Sequence, residues 1–203
     1  MTDTNIPTVG LLLFEGAEEL DWAGPWEVFT VAGMNGAIKT VTIGETSPAT
    51  SAKGLRVLPD HTLEDAPHLD ILMVPGGTAT RHKRDDARLV DWIGERSAEA
   101  DWITSVCTGA MLLEAAGVLD GRKATTHWAA LDELGDRSDV EVVRGERYVI
   151  DGNVASAAGV SAGIDLSLWL VGEILGEETG QTTALFMEYD PAPPFEIASL
   201  RGF

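Results

Sequence analysis

Short apolar runs bounded by glycine, proline and polar clusters recur along the chain, and apolar positions at helical spacing fall between them. Residues 8–14 (TVGLLLF) are apolar at nearly every position, as a central parallel strand buried on both faces is. A turn over residues 15–21 follows, and then a helix opened by Gly24-Pro25, because proline suits a first helical turn. Residues 38–43 alternate as a second strand, residues 54–58 read as a third, and residues 69–74 form a buried strand stopped by Pro75-Gly76-Gly77. Residues 86–98 carry Leu89, Val90 and Ile93 at helical spacing. Residues 102–106 are strand-like and run into a helix over 108–116, closed by Gly117. Beyond the Asp120-Gly121 turn, residues 123–128, 141–143 and 148–150 and the Asp151-Gly152 turn before 153–156 read as small antiparallel additions. A long apolar helix is expected over 160–175 and another over 178–187. The proline-rich run 190–195 is expected to lie irregularly over the surface.

Strands alternating with helices predict one α/β domain over residues 1–203, a mostly parallel sheet covered on both faces. In such sheets ligands sit beyond the carboxyl ends of the strands. Three segments fall there: 14–21, 75–77 and 107–109.

Composition narrows the partners. The chain holds 33 Asp and Glu against 14 Lys and Arg, a net charge of −19. Such a field repels nucleic acid and anionic membranes. The acids are dispersed and lysines are few, which is what a salt-adapted protein needs to stay soluble; an ordinary acidic protein is the alternative. No apolar run approaches a membrane span, and residues 1–5 lack a basic start, so a cytoplasmic location is expected. One cysteine excludes an internal disulfide and a multi-thiolate zinc site.

That cysteine, Cys107, sits where a strand turns into a helix. Unpaired helix N–H groups favour a thiolate there, and Thr108-Gly109-Ala110 supplies the small neighbours of a sharp turn; inert packing is the alternative. Asp21, between Leu20 and Trp22, is the acid in its loop placed for desolvation and proton sharing with a thiol, or else a plain helix N-terminal carboxylate. Gly77, in Pro75-Gly76-Gly77, lets backbone N–H groups approach a ligand and could form an oxyanion hole with the N–H of Thr108, though Gly-Gly after a strand is also an ordinary turn. His127 is either the base of a Cys-His pair or a structural histidine in a threonine-rich strand. His61, His68 and His82 read as solvated, without ligand spacing; no metal or organic cofactor is implied.

Taken together, Gly-Ala-Glu-Glu-Leu-Asp (16–21), Val-Pro-Gly-Gly (74–77), Ser-Val-Cys-Thr-Gly-Ala (105–110) and Ala-Thr-Thr-His-Trp (124–128) resemble the ThiJ/PfpI superfamily across nearly the whole chain. The resemblance implies a flavodoxin-like, doubly wound, mostly parallel sheet sandwiched by helices, with a small antiparallel addition. It also implies a nucleophile-elbow cysteine at Cys107 faced by the carboxylate of Asp21. Leu-Asp-Trp-Ala-Gly-Pro (20–25), Ala-Gly-Ile-Asp (162–165) and Glu-Tyr-Asp-Pro-Ala-Pro-Pro-Phe (188–195) resemble the isocyanide hydratase subgroup in particular. Thr108 stands where the protease-like and glyoxalase-like branches place histidine, and Ala157-Ala158-Gly159-Val160 stands where hydratases tend to carry a glycine run.

The activity so implied is hydration of an isocyanide to a formamide through a thioimidate on Cys107. Asp21 would be the proton donor, the N–H groups near Gly77 and Thr108 the charge stabilisers with the Thr108 hydroxyl as an extra donor, Trp22, Val160 and Trp128 the apolar lining or else core, and His127 a further substrate-binding residue. A small-molecule substrate and a homodimer come with the resemblance. The alternatives are a glyoxalase or deglycase on small aldehydes, a thiol sensor, and a ligand-binding module like the amino-terminal domains of AraC-like regulators; a following helix-turn-helix domain is not expected in 203 residues.

Overall fold

The structure, a computed structural model, describes residues 6–192. In chain order the elements are β1 (Thr8–Leu13), α1 (Glu19–Ala32), β2 (Lys39–Gly44), β3 (Ala49–Thr50), β4 (Arg56–Val57), β5 (His61–Thr62), β6 (Ile71–Val74), α2 (Thr80–Lys83) and α3 (Ala87–Glu99). There follow β7 (Trp102–Val106), α4 (Gly109–Ala115), β8 (Lys123–Ala124), β9 (Glu141–Val142), β10 (Tyr148–Asp151), β11 (Val154–Ala157), α5 (Ala162–Leu175) and α6 (Glu177–Phe186).

Seven strands form one sheet in the order β10-β11-β7-β6-β1-β2-β5. Every pairing in it is parallel except the β10–β11 hairpin, whose turn places Gly152 at φ 63°. The central strands are apolar without alternation because helices cover both of their faces: Leu11, Leu12, Ile71, Leu72 and Val74 are buried. On α3 the Asp86 side chain accepts the Leu89 N–H at 3.4 Å, capping a helix that turns Leu89, Trp92 and Ile93 into the core. Among the described residues no helix is long and apolar enough to cross a membrane.

Several sequence-based boundaries move. Helix α1 begins at Glu19, five residues before Gly24, so Asp21 lies inside its first turn and Pro25 lies in its interior. Proline there removes the N–H that the Asp21 carbonyl would otherwise receive four residues on. Packing overrides that loss: Gly24 approaches Ile164, Pro25 approaches Gly163, and both partners lie on α5. The strand expected over 54–58 shrinks to a two-residue pairing of β4 with β3. The small β8–β9 pairing is parallel, not antiparallel. Residues 190–192 are exposed and irregular, and the remainder of the proline-rich run lies outside the described residues, as do residues 1–5.

Candidate active site

The carboxyl ends of β1, β6 and β7, at the centre of the sheet, deliver one segment each to a common point. From β7 comes Cys107, at φ 56°, a left-handed conformation unusual for a residue with a Cβ. Its backbone is held on both sides: the N–H donates to the carbonyls of Ala157 (3.1 Å) and Ala158 (2.7 Å), and the carbonyl accepts the Thr126 hydroxyl at 2.7 Å. Strained conformations persist where surroundings over-determine them, and here three contacts do so. The side chain is 7% exposed.

From β1, the turn into α1 brings in Asp21, which is fully buried. Its Oδ2 accepts the Gly76 N–H at 2.9 Å. Its Oδ1 is buried without a partner of ordinary hydrogen-bond geometry, while the Cys107 thiol stands near enough to act on the carboxyl as a hydrogen-bonding group. Burial drives the Asp21 pKa up to about 7; the Gly76 N–H opposes that shift and the charge of Glu18 adds to it. Burial likewise pushes the Cys107 thiol up to about 12, helped by the charge of Asp21, while the backbone N–H groups of Thr108 and Val160 pull it down. The thiolate that a helix terminus was expected to favour is therefore disfavoured, first by burial and further while Asp21 is ionised. Moving the thiol proton onto Asp21 removes that repulsion, so the two groups titrate as one unit.

From β6 comes the Pro75-Gly76-Gly77 loop. A Cβ on Gly76 would lie 2.5 Å from the Thr108 nitrogen and 2.9 Å from Asp21 Oδ2, so the loop, the acid and the residue after the cysteine meet with no room between them. Gly77 adopts φ 134°, open to glycine, and its backbone is clasped by one side chain. The Gly77 N–H donates to Thr108 Oγ1 at 3.0 Å, and that hydroxyl donates to the Gly77 carbonyl at 2.9 Å. The Gly77 N–H is thus engaged within the fold, and the donors that converge on the sulfur are the N–H groups of Thr108 and Val160. Sequence reading placed Val160 as apolar lining; its contribution here is a backbone N–H, presented from a loop residue at φ 37° before α5.

Trp22 is 7% exposed and donates its ring N–H to Ser51 Oγ at 3.3 Å, which commits it to the core beside the site. His127 is not in a strand: it precedes a short 3-10 turn over Trp128–Ala130 and accepts the Ala129 N–H on Nδ1 at 3.2 Å. With Nδ1 so occupied, the proton of the neutral ring sits on Nε2, which makes His127 a donor and not a base. Burial lowers its pKa, and the charge of Arg81 lowers it further. Trp128, expected in the core, is 48% exposed, its ring 5.5 Å from that of His127. Among the described residues no cluster of His, Cys, Asp and Glu could hold a metal ion.

Arg81 is the residue that sequence reading missed. It follows the Gly77 loop on α2 and pairs with Glu133 through Nε (2.8 Å) and Nη2 (2.6 Å), and its charge acts on both Cys107 and His127.

The chain is 40% identical over 191 residues to an isonitrile hydratase of Pseudomonas putida, spanning 94% of this chain and 82% of that one. It superposes on a THiJ/PfpI family protein from Pseudomonas syringae with a TM-score of 0.87 at 33% identity, covering 96% of this chain and 82% of that structure. An HTH-type transcriptional regulator, CdhR of Pseudomonas aeruginosa, is 33% identical over 131 residues, which is 64% of this chain and 39% of the regulator. The model of the DJ-1/PfpI family matches residues 7–173, and the chain belongs to that family.

Proposed function

We propose that the protein hydrates an organic isocyanide, R–N≡C, to the formamide R–NH–CHO, with Cys107 as nucleophile and Asp21 as proton shuttle. The observation that carries this reading is the fully buried carboxyl of Asp21, lifted to about 7, beside the chain's one thiol. Similarity to an isonitrile hydratase over most of both chains supports the choice of substrate.

The thiol proton passes to Asp21, and the thiolate attacks the terminal isocyanide carbon. That carbon then takes the proton from Asp21, giving the thioimidate R–N=CH–S–Cys107 and an ionised carboxylate. Water adds to the imidate carbon while Asp21 removes one of its protons and passes it to nitrogen. The C–S bond breaks as the carbonyl forms, and the hydroxyl proton returns to the sulfur through Asp21. The formamide gains the water oxygen, one water proton on nitrogen and the former thiol proton on carbon, and the second water proton restores the enzyme's single shared proton. The N–H groups of Thr108 and Val160 steady the sulfur as its charge develops and disappears. Thr108 also serves by locking Gly77, which keeps the Gly76 N–H on Asp21.

Incubation with phenyl isocyanide, followed by chromatography of the product, tests the reading. N-phenylformamide should accumulate with the native protein, and Cys107→Ala should give none above the uncatalysed rate. Formamide production by Cys107→Ala would refute covalent catalysis.

A further inference from the structure

In a chain of net charge −19, residues 81–84 read Arg-His-Lys-Arg and hold three of the 14 lysines and arginines. This run forms α2 and its cap, and it begins four residues after Gly77. The link to the site is direct: Thr80 donates both its N–H (3.1 Å) and its hydroxyl (2.8 Å) to the Gly77 carbonyl, the carbonyl that the Thr108 hydroxyl also reaches. Segment 81–84 is therefore fastened to the loop that carries the site.

Within the run, Lys83 is taken by Glu45, with Asp86 at 3.7 Å. Arg81 is bound differently. Glu133 occupies the Nε and Nη2 edge of its guanidinium, leaving the Nη1 group without a hydrogen bond among the described residues. A guanidinium offers five N–H donors, and the end bearing Nη1 suits a second carboxylate. The side chain is 40% exposed, so a ligand arriving from solvent can reach it, and the Arg81 charge acts on Cys107 and His127. His127 adds a second donor in the same quarter: its ring lies against Gly159, beside Val160, and Thr126 before it is bonded to the Cys107 carbonyl.

We infer that Arg81 is a specificity-determining residue and that the substrate carries a carboxylate on the end remote from its reacting carbon. This rests on the hydratase reading for the reacting group and on the geometry of Arg81 for the anionic one. Elsewhere the acidic surface disfavours an anion, so a cation fastened to the site loop selects for one locally.

Two measurements test it, one of them independent of any turnover. Cys107 is the chain's single cysteine, so intact-mass measurement follows its alkylation without ambiguity. The ratio of alkylation rates with iodoacetate and with iodoacetamide should exceed that of a free cysteine peptide. Arg81→Gln should lower the ratio roughly three- to tenfold, as loss of one nearby unit charge does at a partly solvated site. Glu133→Gln, which releases the guanidinium from its partner, should raise it. Arg88→Gln removes the same charge from α3, where Arg88 faces Glu64, and should leave the ratio alone. A native ratio at or below that of the peptide, or equal falls in the Arg81 and Arg88 variants, overturns the inference.

The second measurement compares phenyl isocyanide with its para-carboxylate. The carboxylate should have the lower KM, and Arg81→Gln should erase that difference. An Arg81-dependent alkylation ratio without hydration of either isocyanide would remove the hydratase reading and leave the anionic preference standing. Equal hydration of both compounds with a peptide-like ratio would do the reverse.

Discussion

Asp21 and Glu114 are both buried acids on helices that start at the carboxyl edge of the sheet, yet the fold treats them in opposite ways. Glu114, inside α4, receives the N–H groups of Gly135 (2.9 Å) and Arg137 (3.1 Å) and the Ser138 hydroxyl (3.4 Å) on one oxygen. That oxygen is held mainly by backbone N–H groups, its other oxygen is buried without a partner, and in return the side chain holds the loop after the 3-10 turn against α4. Asp21 receives one N–H, from Gly76, its second oxygen is buried without a partner, and the Cys107 thiol is the neighbouring group that acts on the carboxyl. A buried carboxylate with several donors is a structural staple, whereas one with a single donor is left holding or lending a proton.

The comparison breaks most visibly on activity. Asp21→Asn should lower phenyl isocyanide turnover by roughly 10²- to 10⁴-fold, the range for loss of a placed acid-base group. In the native protein, turnover should also decline as pH falls through about 7, because the pair then holds two protons and no thiolate forms. A variant retaining native turnover would show that Asp21 is a staple like Glu114. The reciprocal substitution, Glu114→Ala, strands three donors and should cost roughly 2–3 kcal/mol in urea unfolding, while the folded fraction still hydrates the neutral isocyanide.

The smallest effect sharpens the contrast through linkage. Between 3.8 and about 7 the folded chain keeps a proton on Asp21 that the unfolded chain releases, so native stability falls as pH rises across that interval. Asp21→Asn removes this slope, so its stability relative to the native protein should rise between pH 4 and pH 8, with no such gain near pH 3. Equal pH dependence of thermal unfolding in the two proteins would contradict the raised pKa.

Much of this was legible in residue pattern. Strand β7 spans the residues that apolar spacing assigns to it, and α3 and α6 lie within a residue or so of expectation. Those elements are set by local periodicity. The start of α1 was hidden because Pro25 argues locally for a helix beginning there, and only contact with α5 makes an interior proline tolerable. Of the site, the placing of Cys107, Asp21 and Thr108 followed from motifs at strand ends, but not their bonding. No sequence signal tells that the Thr108 hydroxyl binds both backbone groups of Gly77, or that Val160 turns its N–H inward, since both depend on segments far apart in the chain. Arg81 left a trace, a basic run in an acidic chain, that becomes meaningful once α2 is seen fastened to the loop.

The left-handed backbone at residue 107 has a cost that falls on the fold alone. A side chain there raises the free energy by about 1 kcal/mol or more relative to glycine, the residue at ease in that region. A chain drifting under pressure for robustness and nothing else would surrender its one thiol early, in exchange for a calmer turn. On the proposed function, the thiol at this tense corner serves the reaction and not the folded state's own welfare.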